Sequence, residues 1–158
     1  MQSLTGLELE ALTIKAAAAP RLRAHHNFHP ELTAPVQRLA IAMEPGTYVR
    51  PHRHSATWEL LCPLSGAFDL IVFDAEGRVT ARQRLGAGGA VVLEQPAGVW
   101  HSVISLEPGS VIFEVKQGPY QPLGAEDFAA WSPAENDGDV PAMLTFLGDA
   151  KIGERFTR

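Results

Sequence analysis

Between residues 36 and 117 the chain is cut by turn formers into short β-like runs, and this pattern constrains the fold more than any other feature. The cuts are Glu44-Pro45-Gly46, Asp74 to Gly77, Gly86 to Gly89, Pro96 to Gly98 and Glu107-Pro108-Gly109. The runs between them cover 36–43, 46–51, 57–65, 66–74, 78–85, 90–95, 99–106 and 110–117. No helical stretch separates them, so the crossovers that a parallel sheet needs are missing. The expectation is an all-β fold: a small antiparallel β-barrel or jelly roll.

The flanks read differently. Leu7, Leu9, Leu12 and Ile14 run into alanines, with Thr5 placed to cap the start and Pro20 to end the stretch, which predicts an N-terminal helix over 7–19. Residues 21–35 hold two prolines and no clean period, and read as loop. Beyond Gln117 turn formers dominate, with a helical turn expected over 126–131 and a short C-terminal helix over 141–150. The organisation is one domain: an extension at 1–35, a barrel at 36–120 and a second extension at 121–158. At 158 residues the chain can bury a proper core.

Charge narrows the partners. A net charge of −5 with no long basic run argues against nucleic acid and against an anionic membrane surface. The pairs Arg21/Arg23 and Arg50/Arg53 are small basic spots that solvated surface explains. Cys62 is the only cysteine, so no intrachain disulfide can form. The N-terminal stretch lacks a basic region and is interrupted by acidic residues. It is not expected to be a signal peptide, and a cytoplasmic location fits.

Chemistry enters at residues 46–66, GTYVRPHRHSATWELLCPLSG. His52 and His54 are two apart, and on an extended strand both rings leave the same face. Alternation adds Tyr48 and Arg50 to that face and sends Val49, Pro51 and Arg53 to the other. Glu59 follows after a short bend, sharing a face with Leu61. Trp58, Leu60 and Cys62 face the opposite way, which makes Cys62 a small core residue rather than a ligand. His101, after the Pro96-Ala97-Gly98 turn, is the fourth candidate. Singly, each residue also reads as structural: surface histidines, or Glu59 paired with Arg53. Trp58, Trp100 and Trp131 read as core or interface residues.

The spacing Gly46-x5-His52-x-His54-x4-Glu59-x6-Gly66 resembles the first motif of the cupin superfamily, and Pro96-x-Gly98-x-x-His101 resembles the core of its second. Gly89 lies one residue early for that second motif, and Ser105 stands where its asparagine would be. Longer stretches, PRLRAHHNFHPE, VQRLAIAMEPGTYVRPHRHS, GAFDLIVFDAEGRVT, IFEVKQGPY and DFAAWSPAE, are similar to the WbuC family of cupin-fold metalloproteins over about residues 20–136. The resemblance implies a β-barrel with one metal and a link in some relatives to surface-polysaccharide gene clusters. It implies no particular reaction.

Together these readings assign His52, His54, Glu59 and His101 to one divalent ion. Imidazoles and a carboxylate leave coordination positions open and suit Zn, Fe, Mn, Ni or Co alike. Tyr48 and His29 are the candidate proton-transfer groups, with His29 expected over the barrel mouth. Arg50 and Tyr48 are the candidate substrate contacts. The other members of the histidine cluster, His25 and His26, are not expected to form a second metal site. The expected ligand is a small anionic or sugar-derived molecule. Three functions stand: a metalloenzyme of isomerase or epimerase type, an iron-dependent dioxygenase, and a non-catalytic metal-dependent binding module. Fold cannot choose among them. In DLIVF and SVIFEV both alternating sets are apolar, so either the terminal extensions or a second copy of the chain must cover the outer faces. A homodimer is the expected assembly.

Overall fold

The computed structural model describes residues 1–157. In chain order the elements are α1 (Gly6–Ala18), β1 (Arg23–Asn27), β2 (Val36–Met43), β3 (Glu59–Ser65), β4 (Ala67–Phe73), β5 (Val79–Gly86), β6 (Leu93–Gln95), β7 (Trp100–Ser105), β8 (Ser110–Gln117) and α2 (Val140–Asp149). The start of α1 is set by a reciprocal cap. The Glu8 N–H donates to Thr5 Oγ1 at 3.3 Å, and the Thr5 N–H donates to the Glu8 carboxylate at 2.7 Å.

The strands form two antiparallel sheets, ordered β1-β2-β8-β3-β6 and β5-β4-β7. They pack face to face over Met43, Leu61, Phe68, Leu70, Leu85, Val103 and Ile112. This is the jelly roll of the sequence reading, in the form of an open sandwich rather than a closed barrel. β6 pairs only with β3 and β5 only with β4, so the sheet edges never join. The chain changes sheets at Gly66, the single residue between β3 and β4. Its φ is +70°, and a Cβ there would lie 2.1 Å from Ser110 Oγ, so no other residue fits the corner. Just before it, Pro63 sits at a register shift in β3, where a missing N–H is tolerated.

Two helices explain why several strands are apolar on both faces. Met143 and Leu147 of α2 are fully buried against Ile71, Phe73 and Ile104 on the outer face of the three-stranded sheet. Each such side chain stabilises the fold by about 1.5–3 kcal/mol. On the other sheet, Leu12 and Ala16 of α1 lie over Ala24, Ala40, Ala42 and Val111, whose small side chains let the helix approach closely. The chain therefore covers these faces itself. α1 lies over β1, β2 and β8, and the β3 end stays barer, with Leu60 and Cys62 half-buried and Leu64 exposed. Cys62 is thus on the outer face as predicted, but it is not in the core.

Three local expectations change. Residues 23–27, read as loop, form β1 and pair with β2 from Arg23↔Met43 to Asn27↔Leu39. This edge strand turns Arg23 and His25 toward the polar rim of a cavity, so it carries no hydrophobic alternation. Residues 46–51 are extended but pair with no neighbour as a strand; the ladder there is reduced to isolated bridges from His52 to His101 and Phe128. The helical turn at 126–131 is a three-residue 3-10 turn at Ala125–Asp127. No helix among the described residues is long and apolar enough to cross a membrane.

Candidate metal centre

Backbone bonds bring the three histidines together. His52 and His101 exchange N–H···O bonds of 2.9 and 2.8 Å, and the Gly98 N–H donates to His54 O at 2.8 Å. Gly98 reaches this position with φ +81°, at the end of the Pro96-Ala97-Gly98 turn. On the other side the Arg53 N–H donates to Asp127 O and the Ala129 N–H to Pro51 O, both at 2.9 Å. The segment carrying His52 and His54 is therefore clamped between β7 and residues 127–129. Its extended backbone keeps the period of two, and a nitrogen from each of His52, His54 and His101 lies within 4.8 Å of the other two.

The rings are set for ligation. His52 Nδ1 lies 2.9 Å from Arg50 O, and His101 Nδ1 lies 3.0 Å from Val99 O. A carbonyl can only accept, so each Nδ1 carries the hydrogen and each Nε2 keeps its lone pair. His54 Nε2 is buried and has no hydrogen-bond partner in the protein. Glu59, 5% exposed, places one carboxylate oxygen 3.4 Å from His54 Nε2 and the other 3.4 Å from His101 Nε2. A charge-assisted hydrogen bond would be shorter, about 2.7–2.9 Å. Two donors each about 2.1 Å from one ion are about 3.0 Å apart at a right angle and about 3.4 Å apart at the tetrahedral angle. The donor set fits a divalent cation.

Electrostatics point the same way. Burial, reinforced by His101, pushes His52 down to about 3, so its imidazole is neutral at ordinary pH. Burial alone would push the Glu59 carboxyl up. Its contacts to His101 and His54 outweigh that and hold it well below the usual carboxylate range.

The centre opens into a cavity of about 530 Å³ between the sheets. Two residues that sequence reasoning passed over face it. Lys116 is the cross-strand partner of Glu59, and Glu114 that of Leu61. Their signal was the alternation Ile112, Glu114, Lys116 within β8, where the otherwise apolar inner face turns charged at one end. Burial, with Glu59 adding, pushes Glu114 up to about 7. Lys116 Nζ lies 2.7 Å from it; burial pushes the ammonium down, but Glu114 and Glu59 together outweigh that and hold it above its usual range.

Several predicted contacts lie elsewhere. Tyr48 is buried with Ile71 and Met143, away from the cavity, and its hydroxyl donates to Pro133 O at 2.8 Å. Val49 takes the cavity-facing place instead. Without a paired strand at 46–51, strict alternation breaks down before Arg50. His29 is also buried outside the cavity. Its Nδ1 is 3.1 Å from the Arg38 N–H and closes the β1–β2 connection; of that histidine cluster, His25 lines the cavity. Arg50 lines it as predicted, but its Nε donates to Ser132 Oγ and its Nη2 to Ala129 O and Ser132 O, and it stacks on Phe128. Its first task is to hold residues 128–132 over the site. Trp131 packs on Phe73, while Trp100 lies under the Arg53 guanidinium.

Comparison with known proteins agrees with the fold. KdgF from Halomonas sp. superposes with a TM-score of 0.50 at 20% identity, covering 66% of this chain and 85% of that one. An oxalate oxidase in complex with the substrate analogue glycolate gives 0.50 at 17% identity, covering 66% of this chain and 56% of that one. These likenesses establish the cupin architecture. No curated protein matches the sequence. A family model does match, over residues 4–85, which takes in His52, His54 and Glu59 but stops before His101. The chain is a cupin-fold protein that belongs to the family described as "Domain of unknown function (DUF6016)".

Proposed function

We propose that this is a metal-dependent cupin of the WbuC type, a metalloenzyme that holds one divalent ion on His52, His54, Glu59 and His101 and acts on a small oxygen-donor substrate. The observation that carries the reading is the convergence of the imidazole nitrogens on a buried point, with His54 Nε2 unpartnered and both Glu59 oxygens 3.4 Å from the rings. When bound, the ion would supply Lewis acidity, polarising a substrate carbonyl or hydroxyl. The carbonyls of Arg50 and Val99 orient the His52 and His101 rings, as outer partners of metal-ligating histidines do. Glu59 supplies the negative charge that balances the site. Tyr48 and His29 do not reach the cavity, so proton transfer in an isomerase-type reaction falls to Glu114, the other buried carboxyl on its wall. The carbohydrate link rests on the WbuC resemblance.

The test is elemental analysis of protein purified without added metal, beside His54→Ala. About one equivalent of a divalent metal in the parent protein, lost in the variant while the β-sheet circular dichroism is kept, supports the reading. Full occupancy in the variant removes His54 from the site. Oxygen uptake in the presence of candidate substrates would redirect the chemistry to a dioxygenase.

A further inference from the structure

The cations that line the cavity already have partners. Arg21 and Arg23 both pair with Glu135, the latter at 3.2 Å. Lys116 is paired with Glu114 at 2.7 Å, and Arg50 donates to Ser132 and Ala129. His25, at the rim, is exposed to water. Behind these groups the walls are hydrocarbon: Leu39 and Ile41 from β2 with Met43, Leu61 from β3, Val103 from β7 and Ile112 from β8. Ile112, Leu61, Met43 and Val103, 1–7% exposed, close the cavity floor, and the half-buried Leu39 and Ile41 present apolar surface to the space.

Such a chamber discriminates. A second anionic group on a ligand would find Arg21, Arg23 and Lys116 neutralised by Glu135 and Glu114, which leaves only Arg50, whose Nε and Nη2 are already committed to Ser132 and Ala129. A hydroxyl held against the apolar walls would give up its water without gaining a partner. Methylene groups there lose nothing and gain burial. We infer that the ligand of this centre is a monoanion with an apolar body: one carboxylate or similar oxygen head at the three histidines, and an unhydroxylated carbon chain or ring on the Leu39–Ile41–Ile112 side. This deepens the function proposed above and rests on it. It narrows a polar or carbohydrate-derived substrate to one with a contiguous hydrocarbon portion, and it excludes a fully hydroxylated sugar acid or a sugar phosphate.

The test uses the full chain loaded with one equivalent of Co(II), whose visible bands report direct ligation, and titrates it calorimetrically with acetate, butanoate, hexanoate and gluconate. Affinity is expected to rise about fourfold for each buried methylene along the aliphatic series, with all acids perturbing the cobalt bands. Gluconate, of the same carbon count as hexanoate, should bind no better than acetate. Ile41→Asn and Leu39→Ser, both half-buried positions, should pull hexanoate back toward acetate. A flat series, or gluconate binding more tightly than hexanoate, overturns the inference and leaves the metal centre standing. So does hexanoate affinity unchanged in both variants. Failure of the protein to take up cobalt overturns the metal reading itself, and this inference with it.

Discussion

Glu59→Gln isolates the one formal negative charge among the proposed ligands. Glutamine keeps the size and the neighbourhood of His54 and His101, so the change removes charge from a side chain only 5% exposed. Outer partners of metal ligands typically contribute about 10–100-fold in affinity. A carboxylate that ligates directly, with oxygens 3.4 Å from two ligand nitrogens, should cost more than about 100-fold. The consequence for stability follows by linkage. At a free metal concentration 100 times the Kd, binding stabilises the parent protein by about 2.7 kcal/mol, while a variant weakened 100-fold gains only about 0.4 kcal/mol. For a chain of this size each kcal/mol moves Tm by about 2–4 °C, so metal should raise the parent Tm by about 5–11 °C and the variant by about 1 °C. The assay is calorimetric melting in chelator-buffered metal, each protein read against its own metal-free Tm so that changes in the apo fold cancel. Competition against a chromophoric chelator supplies the affinities. A variant within tenfold of the parent refutes any role for Glu59 at the ion. A loss between tenfold and 100-fold assigns it to orienting the imidazoles.

Other expectations follow from the same geometry. Tyr48→Phe removes the hydroxyl that satisfies Pro133 O and should cost about 1–3 kcal/mol in denaturant unfolding, with metal content unchanged; lost metal would place Tyr48 in the site after all. Burial pushes the Tyr48 phenol up to about 12 from an ordinary 10. Its folded pKa is therefore the higher one, and the stability it contributes is complete below pH 10 and lost as pH rises toward 12. Denaturant unfolding compared at pH 9 and pH 11 should show a steeper alkaline loss in the parent than in Tyr48→Phe, and equal losses would refute the assignment. Leu147→Ala empties a fully buried site under the three-stranded sheet and should cost about 2–5 kcal/mol; a cost under 1 kcal/mol in thermal or denaturant melts would mean that α2 does not seal that face. A homodimer, proposed from the doubly apolar strands, has the bare β3 end of the larger sheet left to it. Leu64→Lys, at a position 47% exposed, should convert such a dimer to the 17.1 kDa monomer in sedimentation, and a parent protein already monomeric at micromolar concentration removes the dimer.

What the sequence determined by itself was whatever depends on neighbours along the chain. Turn residues close locally, so seven of the eight predicted runs appear as strands, with 36–43 and 110–117 matching β2 and β8 to the residue. Period-two geometry holds from Arg50 to His54, where the extended backbone is clamped from both sides. That is why His52 and His54 share a face even though 46–51 is not a strand, and why His101 could be paired with them from two motifs. The tertiary structure decided everything that depends on what lies across. β1 was illegible because an edge strand facing the polar rim of the cavity carries no hydrophobic alternation. Whether the sandwich closed into a barrel depended on its edge strands, and three-residue β6 leaves it open. Tyr48 and Val49 exchanged roles because a segment without a ladder follows its packing, and the packing offered Tyr48 a carbonyl at Pro133. Arg50, local to the histidines in sequence, is held by residues 128–132 far along the chain. The charges facing the ion from β8, Glu114 and Lys116, were visible as letters, but only the pairing of β8 with β3 set them beside Glu59.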